Sequence, residues 1–111
     1  MLLNQLKRSE KQYPPLSKDE ERELISKYKD DRSTLNKLLC MHNIRLVFNI
    51  AKKYKGKTDD FDNMVQNGYL GLMQAANRFD IDKGIKFVTY AYPWVMKFIL
   101  SEFYAKNKEI D

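Results

Sequence analysis

The chain has 111 residues, of which 43% are hydrophobic and 32% charged, and this balance excludes a disordered tail and indicates one soluble helical domain. Four glycines and three prolines are too few turn formers for an all-β fold. A single cysteine and a single histidine exclude a disulfide framework and a zinc site, and the net charge of +5 is compatible with a polyanionic partner without requiring one.

The first predicted helix follows a weakly patterned N-terminal extension, residues 1–15, which ends in two prolines and should be extended there. Ser17 and Glu20 have the spacing of a capping box at the start of this helix. The helix should stop near Asp30-Asp31, where an aspartate side chain can cap the next one.

Three further helices are predicted downstream. Apolar residues recur at helical spacing between Leu35 and Tyr54, with a polar interruption at His42-Asn43, and this indicates a long second helix. Asp59 or Asp60 can cap a third helix, and a fourth is predicted from about Thr89 to Lys106. The elements predict an all-α fold, a compact bundle of about four helices over residues 16–111.

The third predicted helix has one apolar stripe that should face the core. Its members follow alternating steps of four and three: Phe61, Val65, Gly68, Leu72, Ala75 and Phe79. A glycine inside a helix costs about 1 kcal/mol relative to alanine, so Gly68 and Gly71 should permit close approach of a neighbouring helix.

A second stripe lies on another face of the same helix. It consists of Asp62, Gln66, Tyr69 and Met73, with Leu70 beside it. A carboxylate, an amide, a ring and a thioether on one face are typical of a protein-binding surface. The alternative interpretation is that the first helix or the N-terminal segment covers Tyr69, Leu70 and Met73.

Rings alternate with lysines between Phe79 and Phe98. Ring faces stack on unpaired bases for roughly 1–3 kcal/mol per base while ammonium groups hold phosphates, so this pattern suits a nucleic acid single strand. The alternative is that the rings fill the core. On a helix from Thr89, one face carries Tyr90, Trp94, Lys97 and Ser101, and the inward face carries Ala91, Val95, Phe98 and Ile99.

Three segments together resemble region two of bacterial RNA polymerase sigma factors. They are NIRLVFNIAKKY (43–54), DNMVQNGYLGLMQAANRFD (62–80) and KGIKFVTYAYPW (83–94), and LSKDEERELISKY (16–28) resembles the end of region one. The resemblance spans roughly residues 16–105 and implies a promoter-recognition and melting domain that is not an enzyme.

The resemblance implies that the second stripe docks on the coiled coil in the largest subunit of the polymerase core. The matching positions are Asp62, Gln66, Asn67, Tyr69, Leu70 and Met73. Many family members have an acidic residue where this chain has Asn67, so one possible ion pair is absent here.

The resemblance also implies that the domain captures bases of the non-template strand in the minus-ten element. Phe87, Thr89 and Tyr90 match an aromatic pocket for a flipped adenine, Lys86 matches a backbone contact, and Asn43, Arg45 and Leu46 match a pocket for a second flipped base. Extracting a base costs a few kcal/mol, which stacking and edge hydrogen bonds can return.

Two departures from the housekeeping pattern concern the DNA face. Two adjacent tryptophans are replaced by Pro93-Trp94, and Ala91-Tyr92-Pro93 resembles the sporulation and general-stress branch. Pro93 is expected in the first helical turn, where it is tolerated. Because it replaces a ring that could act as a wedge at the upstream edge of the melted bubble, Trp94 or Tyr92 has to take that part.

The second departure lies one turn later, where a glutamine and a threonine are replaced by Lys97 and Leu100. This replacement predicts a different base preference at the upstream edge of the element.

The expected partners are therefore the polymerase core, single-stranded promoter DNA, and an anti-sigma factor or a second sigma subunit, with no membrane and no metal or other cofactor. The expected location is cytoplasmic, at the nucleoid. Two alternatives are a basic helix-turn-helix regulator of duplex DNA and a polymerase adaptor that does not touch DNA. The sequence ends at Asp111, before the family's later domains. Two interpretations remain open: the chain is a piece of a longer factor, or it is a stand-alone region-two protein.

Overall fold

The computed structural model describes residues 2–54, 56 and 60–108, the side chains of Leu2 and 102–108 excepted. These ranges contain six helices and no strand, which confirms the all-α fold class. The helices are α1 (Leu2–Gln12), α2 (Lys18–Tyr28), α3 (Arg32–Met41), α4 (Ile44–Lys53), α5 (Phe61–Arg78) and α6 (Phe87–Lys108). Within the described ranges, every helix is too short or too polar to cross a lipid bilayer.

Side-chain caps fix the starts of three helices. The Ser17 and Glu20 pair forms the predicted capping box: the Glu20 amide donates to Ser17 Oγ over 3.1 Å and the Ser17 amide donates to Glu20 Oε1 over 2.8 Å. Asp31 caps α3 and Asp60 caps α5, each by accepting a hydrogen bond from the amide three residues later. Asp59, the other candidate cap for α5, lies outside the described residues.

The prediction of one long second helix is wrong, because the helix is interrupted at His42-Asn43 and the segment forms two helices, α3 and α4. The Asn43 side-chain amide donates to the Leu39 carbonyl over 2.7 Å, so the side chain takes a backbone acceptor at the end of α3. His42 Nδ1 lies 2.8 Å from the Pro14 carbonyl oxygen and so ties this break to the segment between α1 and α2.

The first fifteen residues, expected as a weakly patterned extension, instead contain α1, which packs against α4 and α5. Leu6 is buried in the common core, with Leu3 partly buried beside it at a spacing of three residues. Burial of these two leucines accounts for the helix, since no acidic residue in its first turn supports it.

The core lies along α5, and α6 packs against α5 over most of its length. The predicted inward stripe of α5 is buried except for Phe61, which is partly buried. A Cβ at Gly68 would lie 2.8 Å from Val47 Cγ1, and one at Gly71 would lie 2.7 Å from the Trp94 carbonyl oxygen. Both glycines therefore permit the close approach of α4 and α6 that the sequence predicted.

Helix α6 begins at Phe87, two residues before the predicted start. Pro93 is consequently the seventh residue of the helix and lies beyond the first turn, which corrects the prediction. At this position its missing amide cannot bond the carbonyl of Thr89 four residues earlier. Pro93 is exposed to solvent.

Candidate functional site

A row of rings runs along one face of α6. Tyr90, Trp94 and Phe98 follow each other at intervals of four residues, and their ring centroids are separated by 6.5 Å and 6.4 Å. All three side chains are partly buried, so each has one part against the core and another part in contact with solvent. Phe79 joins the row at its beginning, with its centroid 5.5 Å from that of Tyr90.

Phe87 differs from the expectation that the rings are held outward. It is 0% exposed and packs edge-on against Phe79, with the ring centroids 5.1 Å apart. A ring with no exposed surface cannot stack on a base in this conformation. Phe87 therefore belongs to the core beneath Tyr90, and for this ring the alternative interpretation, in which the rings fill the core, is the one that the structure supports.

Two cations approach the Trp94 ring. Arg78 Cζ lies 5.1 Å from the ring centroid and Lys97 Nζ lies 5.9 Å from it, distances at which a cation is attracted to an indole face. The Arg78 side chain is also hydrogen-bonded to Gln74, and its backbone carbonyl accepts a hydrogen bond from the Tyr90 hydroxyl over 3.4 Å. Arg78 thus connects the end of α5 to two rings of α6.

A groove of about 450 Å³ lies between α5 and α6. It is lined by Asn67, Gln74, Arg78, Trp94, Lys97, Phe98 and Ser101, among which there is no acidic side chain. Three residues of the predicted DNA face line this groove: Trp94, Lys97 and Ser101. The fourth, Tyr90, is outside the lining, and its ring is next to that of Trp94. An apolar wall with two cations, and with no carboxylate among the lining residues that the structure describes, suits an unpaired, negatively charged strand.

The sequence reasoning did not identify Arg78 and Gln74. The sequence does contain a pattern that could have identified them. Successive steps of seven and four residues place Asn67, Gln74 and Arg78 on a third face of α5. Gly71 lies on the same face and permits the approach of α6, so this face borders the groove. Asn67 therefore lies beside the rings, whereas the other predicted polymerase contacts do not line this groove.

The remaining predicted DNA contacts lie in two places. Lys86, partly buried, and Thr89, exposed, are at the N-terminal end of α6 close to Tyr90. The others are at the start of α4 beside α1 and do not line the groove between α5 and α6. Of these, Asn43 is engaged with the Leu39 carbonyl, Arg45 forms an ion pair with Glu10 at 3.8 Å, and Leu46 packs partly against the core.

Tyr92 and Trp94, the two candidate wedges, differ in exposure and in position. Tyr92 is 38% exposed and lies away from the groove, with its hydroxyl 3.4 Å from Lys53 Nζ at the end of α4. Trp94 is thus the one of the two candidate wedges that lines the groove.

The predicted polymerase-binding stripe of α5 is graded in exposure. Asp62 and Gln66 are exposed, and Leu70 is 46% exposed. Tyr69 and Met73 are partly buried and line a shallow groove with residues of α3, and burial raises the pKa of the Tyr69 hydroxyl. The element that lines this groove beside Tyr69 and Met73 is α3, and not the first predicted helix or the N-terminal segment that the alternative interpretation named, while Leu70 stays exposed.

A buried carboxylate holds the N-terminal end of α6. Glu21 of α2 is 4% exposed, and its Oε2 accepts a hydrogen bond of 2.8 Å from the Phe87 amide. Burial raises the pKa of Glu21, and the Phe87 hydrogen bond and the nearby Lys86 oppose that rise. Sequence reasoning missed this residue, although Glu21, Ile25 and Tyr28 share one face of α2.

Over the described ranges, no three histidine, cysteine, aspartate or glutamate side chains come together as a metal site would require. The one cysteine, Cys40, is buried, and its thiol lies 3.7 Å from the Leu72 carbonyl oxygen. The two surface features described above are the aromatic and cationic groove between α5 and α6 and the partly exposed stripe on α5.

Comparison with known proteins identifies a family for this arrangement. The Sigma-70 region 2 family matches residues 39–109. RNA polymerase sigma factor SigA of Clostridium acetobutylicum is 42% identical over 86 residues, which cover 78% of this chain and 23% of the relative. SigA of Lactococcus lactis subsp. cremoris is 40% identical over 90 residues (78% and 25%), and SigA of a Bacillus species is 40% identical over 86 residues (78% and 23%).

The chain spans about a quarter of the length of these relatives. All three are named SigA, so they give no support to the expected similarity to the sporulation and general-stress branch. The family match covers α4, α5 and α6, which carry the groove and the exposed stripe.

Proposed function

The chain belongs to the Sigma-70 region 2 family, and on that premise we propose that it binds the RNA polymerase core and recognises and melts the promoter minus-ten element in transcription initiation. The matched segment contains every described side chain of the α5–α6 groove and of the Asp62–Met73 stripe. The proposal assigns DNA to the groove and polymerase to the stripe.

The observation that carries the proposal is the partly exposed pair Tyr90 and Trp94 beside two cations. Melting requires that bases leave the duplex stack, which costs a few kcal/mol for each extruded base. A ring that is already held in place by the core can stack on such a base with little loss of its own freedom. Arg78 and Lys97 supply positive charge at the same place for the adjoining phosphates.

Phe87 contributes to this proposal indirectly. Since it is buried, we assign the direct base contacts to Tyr90 and Trp94 and give Phe87 the task of supporting the first turn of α6. Lys86 and Thr89, at the same end of the helix, keep their proposed contacts with the DNA strand. Asn43, Arg45 and Leu46 form a separate proposed pocket for a second base, which requires opening of the pair between Arg45 and Glu10.

The proposed polymerase contact centres on Leu70. A leucine with nearly half of its surface exposed, next to the exposed Asp62 and Gln66, suits a helix of a partner protein with an apolar side and a basic side. We place the coiled coil of the largest polymerase subunit there. Asn67, turned toward the α5–α6 groove, is proposed as a contact at the border between polymerase and DNA.

Three finer assignments accompany the proposal. Similarity to the sporulation and general-stress branch rests on Ala91-Tyr92-Pro93 alone, against relatives that are all named SigA. An anti-sigma factor or a second sigma subunit is a further proposed partner. The proposed site of action is the nucleoid, where promoter DNA and polymerase meet.

A pull-down with bacterial core polymerase tests the polymerase contact. Wild-type chain should be retained, and Leu70→Ala should weaken retention roughly fivefold or more, as truncation of a central interface residue does. Ile85→Ala is a matched control, because Ile85 has the same 46% exposure but lies in the connection between α5 and α6, outside the stripe. Equal weakening by both variants, or no retention of the wild type, would contradict the proposed contact.

A further inference from the structure

The contact between Glu21 and Phe87 joins two elements that are far apart in the sequence. Glu21 is in the first turn of α2, and Phe87 is the first residue of α6. Glu21 Oε2 and the Phe87 amide nitrogen are 2.8 Å apart, and both side chains are buried. Glu21 is the one buried charged side chain among the described residues.

This contact satisfies a group that the helix cannot satisfy by itself. The first amides of an α-helix have no partner within the helix, and a buried amide without an acceptor is strongly unfavourable. No side chain of the turn before α6 replaces Glu21 in this contact with Phe87. A negatively charged acceptor at the positive end of a helix also interacts favourably with the helix dipole.

The position of Phe87 determines the position of Tyr90. Phe87 and Tyr90 are three residues apart, within one helical turn, and both rings pack on Phe79. Arg32 in turn donates to the Phe79 carbonyl oxygen over 3.2 Å, which fixes this part of the chain from the side of α3. The first turn of α6 is therefore held by two contacts: Glu21 binds the Phe87 amide, and Phe79 packs against the rings of Phe87 and Tyr90.

We propose that Glu21 is a positioning residue for base capture: through its hydrogen bond to the Phe87 amide it sets the first turn of α6, and with it the orientation of Thr89 and Tyr90 toward an unpaired base. This inference rests on the proposed function of the α6 face. It assigns to α2 a part in reading the promoter strand that does not require Glu21 to touch DNA.

The test uses the whole chain and two fluorescently labelled single-stranded oligonucleotides that carry a minus-ten element. One has adenine at the position to be captured, and the other has an abasic site there. The ratio of the two Kd values measures capture of the base separately from phosphate attraction and from the folded fraction, since both of those affect the two oligonucleotides equally. The wild-type ratio should be roughly tenfold or more, from one stacked base.

Glu21→Ala should reduce this ratio to about twofold or less, because the first turn of α6 loses its acceptor. Glu20→Ala is the matched control, since it removes a neighbouring glutamate of the same helix whose hydrogen bond is to Ser17 and not to α6. The control should lower thermal stability and keep the wild-type ratio. An unchanged ratio in folded Glu21→Ala would overturn the inference.

Two conservative variants decide the matter if Glu21→Ala does not fold. Glu21→Gln keeps the length and the acceptor but loses the charge, whereas Glu21→Asp keeps the charge and is one methylene shorter. Positioning by the hydrogen bond predicts a ratio closer to wild type for glutamine than for aspartate, and the reverse order would overturn it. A wild-type chain with no preference for adenine over the abasic site would instead contradict the proposed function itself.

Discussion

The carbonyl oxygen of Trp94 lies where a side chain at position 71 would begin: a Cβ built on Gly71 would be 2.7 Å from it and 3.1 Å from Phe98 Cβ. The backbone of α6 therefore rests directly on α5 at the centre of the groove. The same contact fixes how deeply the Trp94 ring sits beside Arg78, because backbone and ring move together.

Gly71→Ala should consequently push α6 away from α5. We expect a loss of unfolding free energy of about 1–3 kcal/mol, typical of overpacking, reduced by the better helix propensity of alanine. Urea unfolding measures this loss, with Gly56→Ala as the control, because a Cβ at Gly56 meets no described atom within 4 Å. Equal stability of both variants and the wild type would show that the helices can separate without loss.

Cys40 should be unreactive in the folded chain. Burial raises the pKa of its thiol from the ordinary value of 9.0 to about 12, and its relative exposure is 3%. Since the thiolate is the reactive form, alkylation by iodoacetamide near neutral pH should be about a thousandfold slower in the native chain than in urea. Comparable rates in the two conditions would contradict the buried position of this side chain.

Lys97 should determine the base preference at the upstream edge of the minus-ten element. Its ammonium group lines the groove beside Trp94 and can donate to guanine O6 and N7, whereas Leu100 offers no hydrogen bond. Oligonucleotides varied at that base should show a preference for guanine of about 1–3 kcal/mol in the wild type.

Lys97→Ala should remove this preference. Lys83→Ala is the matched control, since it deletes the same charge from the exposed turn before α6 and should weaken binding to all sequences alike. If the base preference persists unchanged in Lys97→Ala, the assignment of Lys97 is wrong.

The stability of the chain should depend on pH through Glu21 in an unusual direction. Burial raises the pKa of Glu21 above the ordinary value of 4.5, so the native state holds this proton more tightly than the unfolded chain does. Ionisation of Glu21 therefore lowers stability as the pH rises through the window just above 4.5. Glu20 and Asp31, whose pKa values are lowered by hydrogen bonds, act in the opposite direction and lose their contribution as the pH falls.

Comparison of the wild type with Glu21→Gln isolates this effect, because Glu20 and Asp31 titrate in both proteins. Urea unfolding from about pH 4 to about pH 7 should show the glutamine variant gaining stability relative to the wild type. A difference that stays constant over this range would mean that Glu21 has the same affinity for its proton in both states.

Local signals in the sequence predicted the starts of α2, α3 and α5 and the close helix contact. The Ser17–Glu20 capping box and the aspartate caps depend on residues within one turn, and Gly68 and Gly71 stand out because glycine is unfavourable inside a helix. The break between α3 and α4 was missed, since the apolar spacing continues across it and the deciding contact is one side chain, Asn43, bonding to the Leu39 carbonyl.

The candidate site was predictable in part for a similar reason. Helical spacing separates Trp94 and Lys97 from the core face of α6, but it does not tell a ring that fills the core, such as Phe87, from one at its edge. Arg78 and Glu21 act on α6 from other helices, and contacts of that kind depend on how the helices pack rather than on any local pattern.

The most direct test of the central claim is the affinity of the chain for the same minus-ten sequence as a single strand and as a duplex. Rings held at the edge of the core predict a clear preference for the single strand, and loss of that preference in Tyr90→Ala and Trp94→Ala while retention by polymerase core is unchanged. Tyr13 is a partly buried tyrosine that packs on His42, and the control variant Tyr13→Ala should keep the preference for the single strand. Equal or tighter binding to the duplex by the wild type would contradict the account and favour a duplex-binding regulator.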